Sequence, residues 1–159
     1  MYARDEALIA TPIGTVRVSG DGEYITAIQI EPGQKSPQPG SSEAVRRAAE
    51  QIADYFAGTR LSFDVPLLPA ATPRGEAMRA GISDISFGNT MSYGELADRI
   101  GSGARAVGQA CARNPFPIIV PCHRVTGANG ALGNYSGGEG VSTKIWLLDH
   151  ERRHREKQR

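Results

Sequence analysis

The 159-residue sequence predicts a mixed chain of the α/β (α+β) kind, made of two small units. Three features carry that expectation. Short apolar segments separated by turns fill the first third. One strongly amphipathic helix follows them. After residue 72 the pattern changes to short, well-capped helices around an apolar run that ends in a cysteine. The boundary is placed at residues 1–70 and 71–159, with a proline-bearing linker at 67–72.

Residues 7–11 and 15–20 read as strands joined at Pro12-Ile13-Gly14, and residues 24–30 follow after Gly20-Asp21-Gly22. This is the outline of an antiparallel meander. Residues 31–42 hold Pro32, Gly33, Pro37, Pro39 and Gly40 and read as a loop. Ser42 is an expected N-cap for a helix through Ala57, with Val45, Ala48, Ala49, Ile52, Tyr55 and Phe56 on one face and Gly58 as its stop. Residues 63–65 are expected to add a short strand. Thr72-Pro73 opens a helix to about Ile85. Ser92-Tyr93-Gly94-Glu95 has the capping-box pattern, with a helix through Ile100. Gly101-Ser102-Gly103 turns the chain into a second short helix over 104–113, stopped by Asn114-Pro115. Two short helices on a glycine turn form the outline of a helix-turn-helix, an outline also common in proteins that bind no DNA.

The second helix is poor in bulk: Ala104, Ala106, Gly108, Ala110 and Ala112 are all small. Such a helix suits either close approach to another surface or tight packing on a neighbouring helix. Arg105 stands at its N-terminal end, where a recognition helix meets nucleic acid.

Composition narrows the classes. Hydrophobic residues make up 40% and charged residues 22%, which suits a folded chain with a core. No apolar run reaches the length of a membrane span, and no basic leader precedes the first apolar stretch, so a cytoplasmic protein without membrane partners is expected. The net charge of +1 conceals a split. Residues 1–72 hold 6 Lys and Arg against 9 Asp and Glu, while residues 73–159 hold 12 against 8. The second part is the one suited to a polyanion, although several of its cations sit in a tail over 150–159 that reads equally as a solvated helix end. Two cysteines and three histidines without zinc spacing argue against a metal site, and no cofactor is expected.

The chemistry concentrates in Ile118-Ile119-Val120-Pro121-Cys122-His123-Arg124-Val125, a strand-like apolar run delivering Cys122 at its end. A free thiol titrates near ~8.5, so a nucleophilic cysteine needs a neighbouring base or positive charge. His123 is the candidate base, and Glu151 or Asp149 would orient it. Adjacent side chains on an extended segment point apart, so contact needs a turn or a bridging water. Taken alone, a Cys-His pair fits three things: a buried cysteine beside a bonded histidine, a thiol hydrolase, or a nucleophile of another kind. For Cys111 the buried, inert role is expected.

The wider pattern is more specific. SYGELA, ARAVGQA, NPFPIIVPCHRV, GALGNYSGG and KIWLLDHE occur in this order over 92–151. In this the sequence resembles the methylated-DNA–protein-cysteine methyltransferases, also called alkylguanine-DNA alkyltransferases. The N-terminal half matches loosely, through Thr11-Pro12-Ile13-Gly14 and Tyr55-Phe56-Ala57-Gly58. The resemblance implies a ribonuclease-H-like α/β domain followed by a winged-helix domain acting as a monomer on double-stranded DNA that carries alkylated guanine. It implies transfer of a methyl or alkyl group from guanine O6, and from thymine O4, to Cys122 in a single-use reaction. The damaged nucleotide would be rotated out of the stack, since its alkyl group is otherwise out of a buried thiol's reach.

The resemblance also implies roles. Arg105 would fill the gap, and Tyr93 would turn the phosphate and bond the base. Ala106, Gly108, Ala110 and Arg113 would lie along the DNA. His123 would take the thiol proton through a water, Glu151 would hold His123, and Asn114 would brace the turn. The carbonyls of Cys122 and Val125 would read the guanine amino group. Tyr135 and Ser136 would meet its O6 side, with Lys144 close by. The sequence departs from the family in residues 73–85, which lack the usual glutamine and bulky aromatic, at Ser86 in place of a proline, and in a longer turn over 139–143. A non-catalytic lesion-binding relative would lack the cysteine of the motif, and Cys122 is present. A thiol hydrolase would leave the helix-turn-helix outline unexplained.

Overall fold

Alternation of apolar residues builds the first sheet. In the computed structural model, which describes residues 5–157, strands β1 (Asp5–Thr11), β2 (Gly14–Gly20) and β3 (Ile25–Glu31) form an antiparallel meander in the order β1-β2-β3. Ala7, Val16, Val18, Ile28 and Ile30 are buried in it. Helix α1 (Glu43–Ala57) packs on the sheet through Val45, Ala48, Ile52 and Tyr55. The hydroxyl of Ser42 accepts from the Val45 N–H, and Gly58 ends the helix with φ +82°. The first of the chain's two compact units runs Met1–Leu68, the second Pro69–Arg159. Every residue considered below as part of a site lies in the second unit.

Two expectations for the first unit need correction. Residues 63–65 form no strand. The Gln51 side chain, buried on α1, accepts from the Asp64 N–H (2.9 Å) and donates to the Asp64 carbonyl (3.3 Å). A side-chain amide thus satisfies the groups a neighbouring strand would have paired. The ladder contact falls later, where Leu67 bridges Ile25 in parallel, so chain assigned to the linker belongs to the sheet as far as Leu68. The proline-rich loop over 31–42 is also tied down. Gln38 exchanges both backbone hydrogen bonds with Leu8, and the Asp5 carboxylate accepts from the Ser41 and Ser42 N–H groups.

In the second unit, α2 (Pro73–Ser83) starts at Thr72, whose hydroxyl accepts from the Gly75 N–H, and stops two residues short of the expected end. Strand β4 (Met91–Ser92) leads into α3 (Tyr93–Ile100), where Ser92 and Glu95 close a reciprocal capping box. The turn through Gly101 (φ +68°) leads to α4 (Ala104–Ala112). A short β5 (Val125–Thr126) pairs in parallel with β4, and α5 (Val141–Lys157) closes the unit. The core gathers Met78, Ile82, Phe87, Leu96, Val107, Phe116, Ile118, Val125 and Leu147. The described part of the basic tail continues α5, and residues 158–159 lie outside the described residues. Among the described residues no helix is long and apolar enough to cross a membrane.

The unusual composition of α2 has a packing consequence. Gly81 is buried, and a Cβ there would stand 2.6 Å from Ile100 Cγ2 and 3.4 Å from Leu96 Cδ1. Glycine lets α2 lie directly against α3, in place of a larger side chain at the contact. By contrast, a Cβ on Gly108 of α4 would meet nothing within 4 Å. Gly81→Ala is therefore expected to destabilise by about 1–2 kcal/mol, because overpacking outweighs the gain in helix propensity. Gly108→Ala is expected to stabilise by up to ~1 kcal/mol. Urea unfolding of both variants checks the opposite signs.

Candidate active site

The site begins where α4 stops. Arg113 caps the helix, and Asn114 then holds the following loop from inside. Asn114 Oδ1 accepts from the Phe116 N–H (3.0 Å), while Nδ2 donates to the Val120 carbonyl (2.8 Å) and to Cys122 Sγ (3.2 Å). The apolar run at 118–120 is not a strand. Val120 N–H donates back to the Phe116 carbonyl (2.9 Å), so the chain curls into a turn, and Ile118 sits at φ +76°. A β-branched residue seldom adopts that conformation. Complete burial of Ile118 and the Asn114 brace hold it.

Cys122, His123 and Arg124 form a single 3-10 turn, the bend that a Cys-His partnership on neighbouring positions requires. His123 Nε2 meets Glu151 Oε2 at 2.6 Å. Arg124 donates to the same carboxylate twice, from Nε to Oε1 (2.8 Å) and from Nη2 to Oε2 (3.0 Å). Its Nη1 donates to the Ile85 carbonyl (2.7 Å), and the guanidinium lies 5.7 Å from the Phe87 ring centre. The Gly88 N–H adds a fourth bond to Glu151, at 3.2 Å. His123 and Glu151 are completely buried. Burial pushes the Glu151 carboxyl up, but His123 and Arg124 more than reverse this and hold it well below the usual carboxylate range. His123 Nδ1 is buried and has no hydrogen-bond partner among the described residues. Asp149, the other acid considered, is exposed and pairs with Arg152, because two residues along a helix point to different sides.

Cys122 is only 4% exposed, yet it lines a cavity of about 650 Å³. Burial pushes its thiol up, opposed by the Asn114 hydrogen bond and the Lys144 charge, so at rest the sulfur keeps its proton. Lys144 is fully buried and not solvated. Its Nζ donates to the carbonyls of Val125 (2.7 Å) and Asn134 (3.2 Å) and stands 5.9 Å from the Tyr93 ring centre. Burial lowers its pKa, and the two cysteines counter that. The Cys122 carbonyl accepts from the Val125 N–H. Each of the two carbonyls expected to read a base therefore already holds one partner and keeps a second lone pair.

The expected residues divide on inspection. Tyr93, Arg105, Gly108, Cys122, Tyr135 and Ser136 line the cavity. Asn114, His123, Val125, Lys144 and Glu151 stand behind it through the bonds above. Ala106, Ala110 and Arg113 are not among its lining residues; the two alanines are half-buried and Arg113 is exposed. The Tyr135 hydroxyl is buried without a partner among the described residues, and burial raises its pKa far above the ordinary phenol value. Tyr93 packs against the backbone of Gly133, where a Cβ would come within 2.9 Å of its hydroxyl.

Sequence reasoning missed Arg124 and Gln109. Arg124 lies inside the motif, but nothing in the sequence says that an arginine there is buried. Gln109 lines the cavity one helical turn from Arg105, a spacing that could have signalled it. Cys111 is buried as expected, with its thiol pushed up to about 12 by burial, but it also lines the cavity.

Residues 75–153 match the family model described as the 6-O-methylguanine DNA methyltransferase DNA-binding domain. The chain is 41% identical over 152 residues to a methylated-DNA–protein-cysteine methyltransferase of Methanosarcina acetivorans, covering 91% of this chain and 96% of that one. It is 40% identical over 153 residues to the protein of the same name from Mycobacterium tuberculosis, covering 91% and 90%. The mixed α/β fold is similar to the crystal structure of Mycobacterium tuberculosis OGT in complex with DNA, with a TM-score of 0.80, 38% identity, and coverage of 94% of this chain and 93% of that one. With these likenesses spanning both units and the Cys122–His123–Glu151 geometry in place, the chain belongs to the methylated-DNA–protein-cysteine methyltransferase family.

Proposed function

We propose that this protein repairs alkylated DNA by moving an alkyl group from guanine O6 to Cys122, using each molecule once. The observation that carries this reading is a buried thiol on the wall of a cavity of about 650 Å³, backed by Asn114 and by the bonded set His123, Glu151 and Arg124. Relatives named as methylated-DNA–protein-cysteine methyltransferases, and a neighbour solved with DNA, support both the reaction and the partner.

In the reaction the Cys122 sulfur attacks the alkyl carbon. The S–C bond forms as the C–O6 bond breaks, and the electron pair leaves with guanine O6. The thiol proton passes through a water to His123, and guanine takes up a proton at N1, so the net transfer balances. The thioether has no leaving group that would restore the thiol. A neutral resting thiol fits this order of events, because the proton has to move as the attack proceeds.

The finer architecture is part of the proposal. Residues 1–70 form a ribonuclease-H-like domain, and residues 71–159 form a winged-helix domain with α4 as the helix that meets DNA. Arg105, exposed in the first turn of α4 and at the cavity, enters the space left by the rotated base. Tyr93 bonds the rotated base, the second lone pairs of the Cys122 and Val125 carbonyls read its amino group, and the Tyr135–Ser136 backbone meets its O6 side. The small residues Ala106, Gly108 and Ala110 permit a close approach of α4 to the minor groove, and Arg113 binds the DNA at the end of the same helix. The protein acts as a cytoplasmic monomer.

Incubation with duplex DNA carrying O6-methylguanine is expected to add one methyl to Cys122 by intact mass, with none on Cys122→Ser. Binding without mass gain would instead mark a lesion-binding protein, and turnover of an ester without mass gain a hydrolase. Arg105→Ala is expected to slow repair of duplex DNA more than reaction with a free alkylated guanine base. Equal slowing of both would overturn the role of Arg105. DNA binding is expected to weaken as salt rises, since phosphate contacts release counterions; a titration in increasing salt reads it.

A further inference from the structure

We infer that Arg124 is a positioning residue: by occupying both oxygens of Glu151 it keeps that carboxylate unprotonated and fixes His123 in the tautomer whose Nδ1 is the base for Cys122. This deepens the alkyl-transfer reading and rests on it for the identity of the nucleophile.

A carboxylate offers two oxygens and about four lone-pair positions. On Glu151, Oε1 receives Arg124 Nε at 2.8 Å and the Gly88 N–H at 3.2 Å, while Oε2 receives Arg124 Nη2 at 3.0 Å and His123 Nε2 at 2.6 Å. Three of these four partners can only donate. A proton on either oxygen would point at another N–H, so Glu151 is a saturated acceptor. The hydrogen in the bond to His123 must then lie on Nε2, and the neutral imidazole carries its lone pair on Nδ1. That atom is the buried one without a partner among the described residues.

Arg124 can impose this because it is itself fixed. Nη1 donates to the Ile85 carbonyl at 2.7 Å, and the guanidinium rests near the Phe87 ring. Its planar fork spans two carboxylate oxygens and a carbonyl at once, which a lysine ammonium cannot do.

Removing the guanidinium leaves a buried carboxylate with two donors lost. Glu151 then either takes a proton and donates it to His123 Nε2, or draws a second proton onto the imidazole. Both routes put a hydrogen on Nδ1, and both take away the base.

Nitrogen-15 NMR of the histidine rings in the full-length wild-type protein at neutral pH tests the inference without any repair reaction. His123 is expected to show Nε2 protonated and Nδ1 bare. A protonated Nδ1 in the wild type would overturn the inference, and this arm stands even if a substituted chain does not fold. In Arg124→Met, Nδ1 is expected to become protonated, and methylation of Cys122 by O6-methylguanine DNA to slow about a hundredfold, the scale of a lost general base. Arg124→Lys is expected to recover part of the rate. A folded Arg124→Met that keeps Nδ1 bare and methylates at the wild-type rate would overturn the inference. If wild-type Cys122 gains no methyl while the histidine signature holds, the repair reading fails and the positioning role of Arg124 survives.

Discussion

The second unit depends on one buried negative charge. Glu151 lies in the middle of α5, fully out of solvent, and a lone carboxylate there would be heavily penalised. Its partners come from separate stretches of chain: the 3-10 turn at Cys122–Arg124 and the segment after α2 that supplies Gly88. Arg124 extends the tie to the Ile85 carbonyl. Three segments far apart in sequence are thus fixed around one carboxylate. Loss of one partner from such a buried pair typically costs about 3–5 kcal/mol, because the charge left behind has no water to turn to. The same contacts fix the imidazole of His123, the residue next to Cys122 in the 3-10 turn.

The surroundings of Cys122 explain how a chemically quiet cysteine can serve as a nucleophile. Burial favours the neutral thiol, and it pushes Cys111 in the same cavity up to about 12. The Lys144 charge favours the thiolate of both cysteines, and Cys122 differs in having the Asn114 amide on its sulfur. The bond from Asn114 exists only because the chain curls back at 118–120, and that curl holds Ile118 in the left-handed region. Strain of this kind costs on the order of 1–3 kcal/mol, and burial of the side chain opposes it. A strand in its place would have carried Cys122 away from Asn114. The left-handed isoleucine is therefore a consequence of where the sulfur must be.

The legible parts of the sequence were those governed by local rules. The three strands, the Ser42 and Thr72 caps, the capping box at Ser92 and the glycine stops at 58 and 101 each follow from residues a few positions apart. The residues that gather around Cys122 were legible as a motif. What escaped was set by distant partners. Residues 118–120 have strand composition, yet Asn114 and the core impose a turn. Residues 63–65 look like a strand, yet Gln51 takes the partner's place. Arg124 stood in plain view, but its burial depends on Glu151, Ile85 and Phe87 from other elements. Lys144 reads as a surface lysine until the carbonyls of Val125 and Asn134 are seen to converge on it. Local composition describes what a segment prefers, and here the polar side chains of other segments decide what it does.

The two glycines at 81 and 108 show why composition alone left the meaning of α4 open. Both stand inside helices, where glycine weakens the helix by roughly 1 kcal/mol relative to alanine. At Gly81 the reason is internal: Ile100 occupies the space that a Cβ would need. At Gly108 no atom beyond its chain neighbours and the backbone of its own helix comes within 4 Å of that position, so packing against other elements does not account for the glycine. Gly108 also lines the cavity that holds Cys122, on a helix that buries only Val107 and Cys111. A helix with so little of its own to bury, kept bare on the side beside a reactive sulfur, is shaped for something outside the chain. In the proposed reaction a guanine rotated from a duplex would meet that description, because the strand it hangs from would have to come close to α4 for the base to reach Cys122.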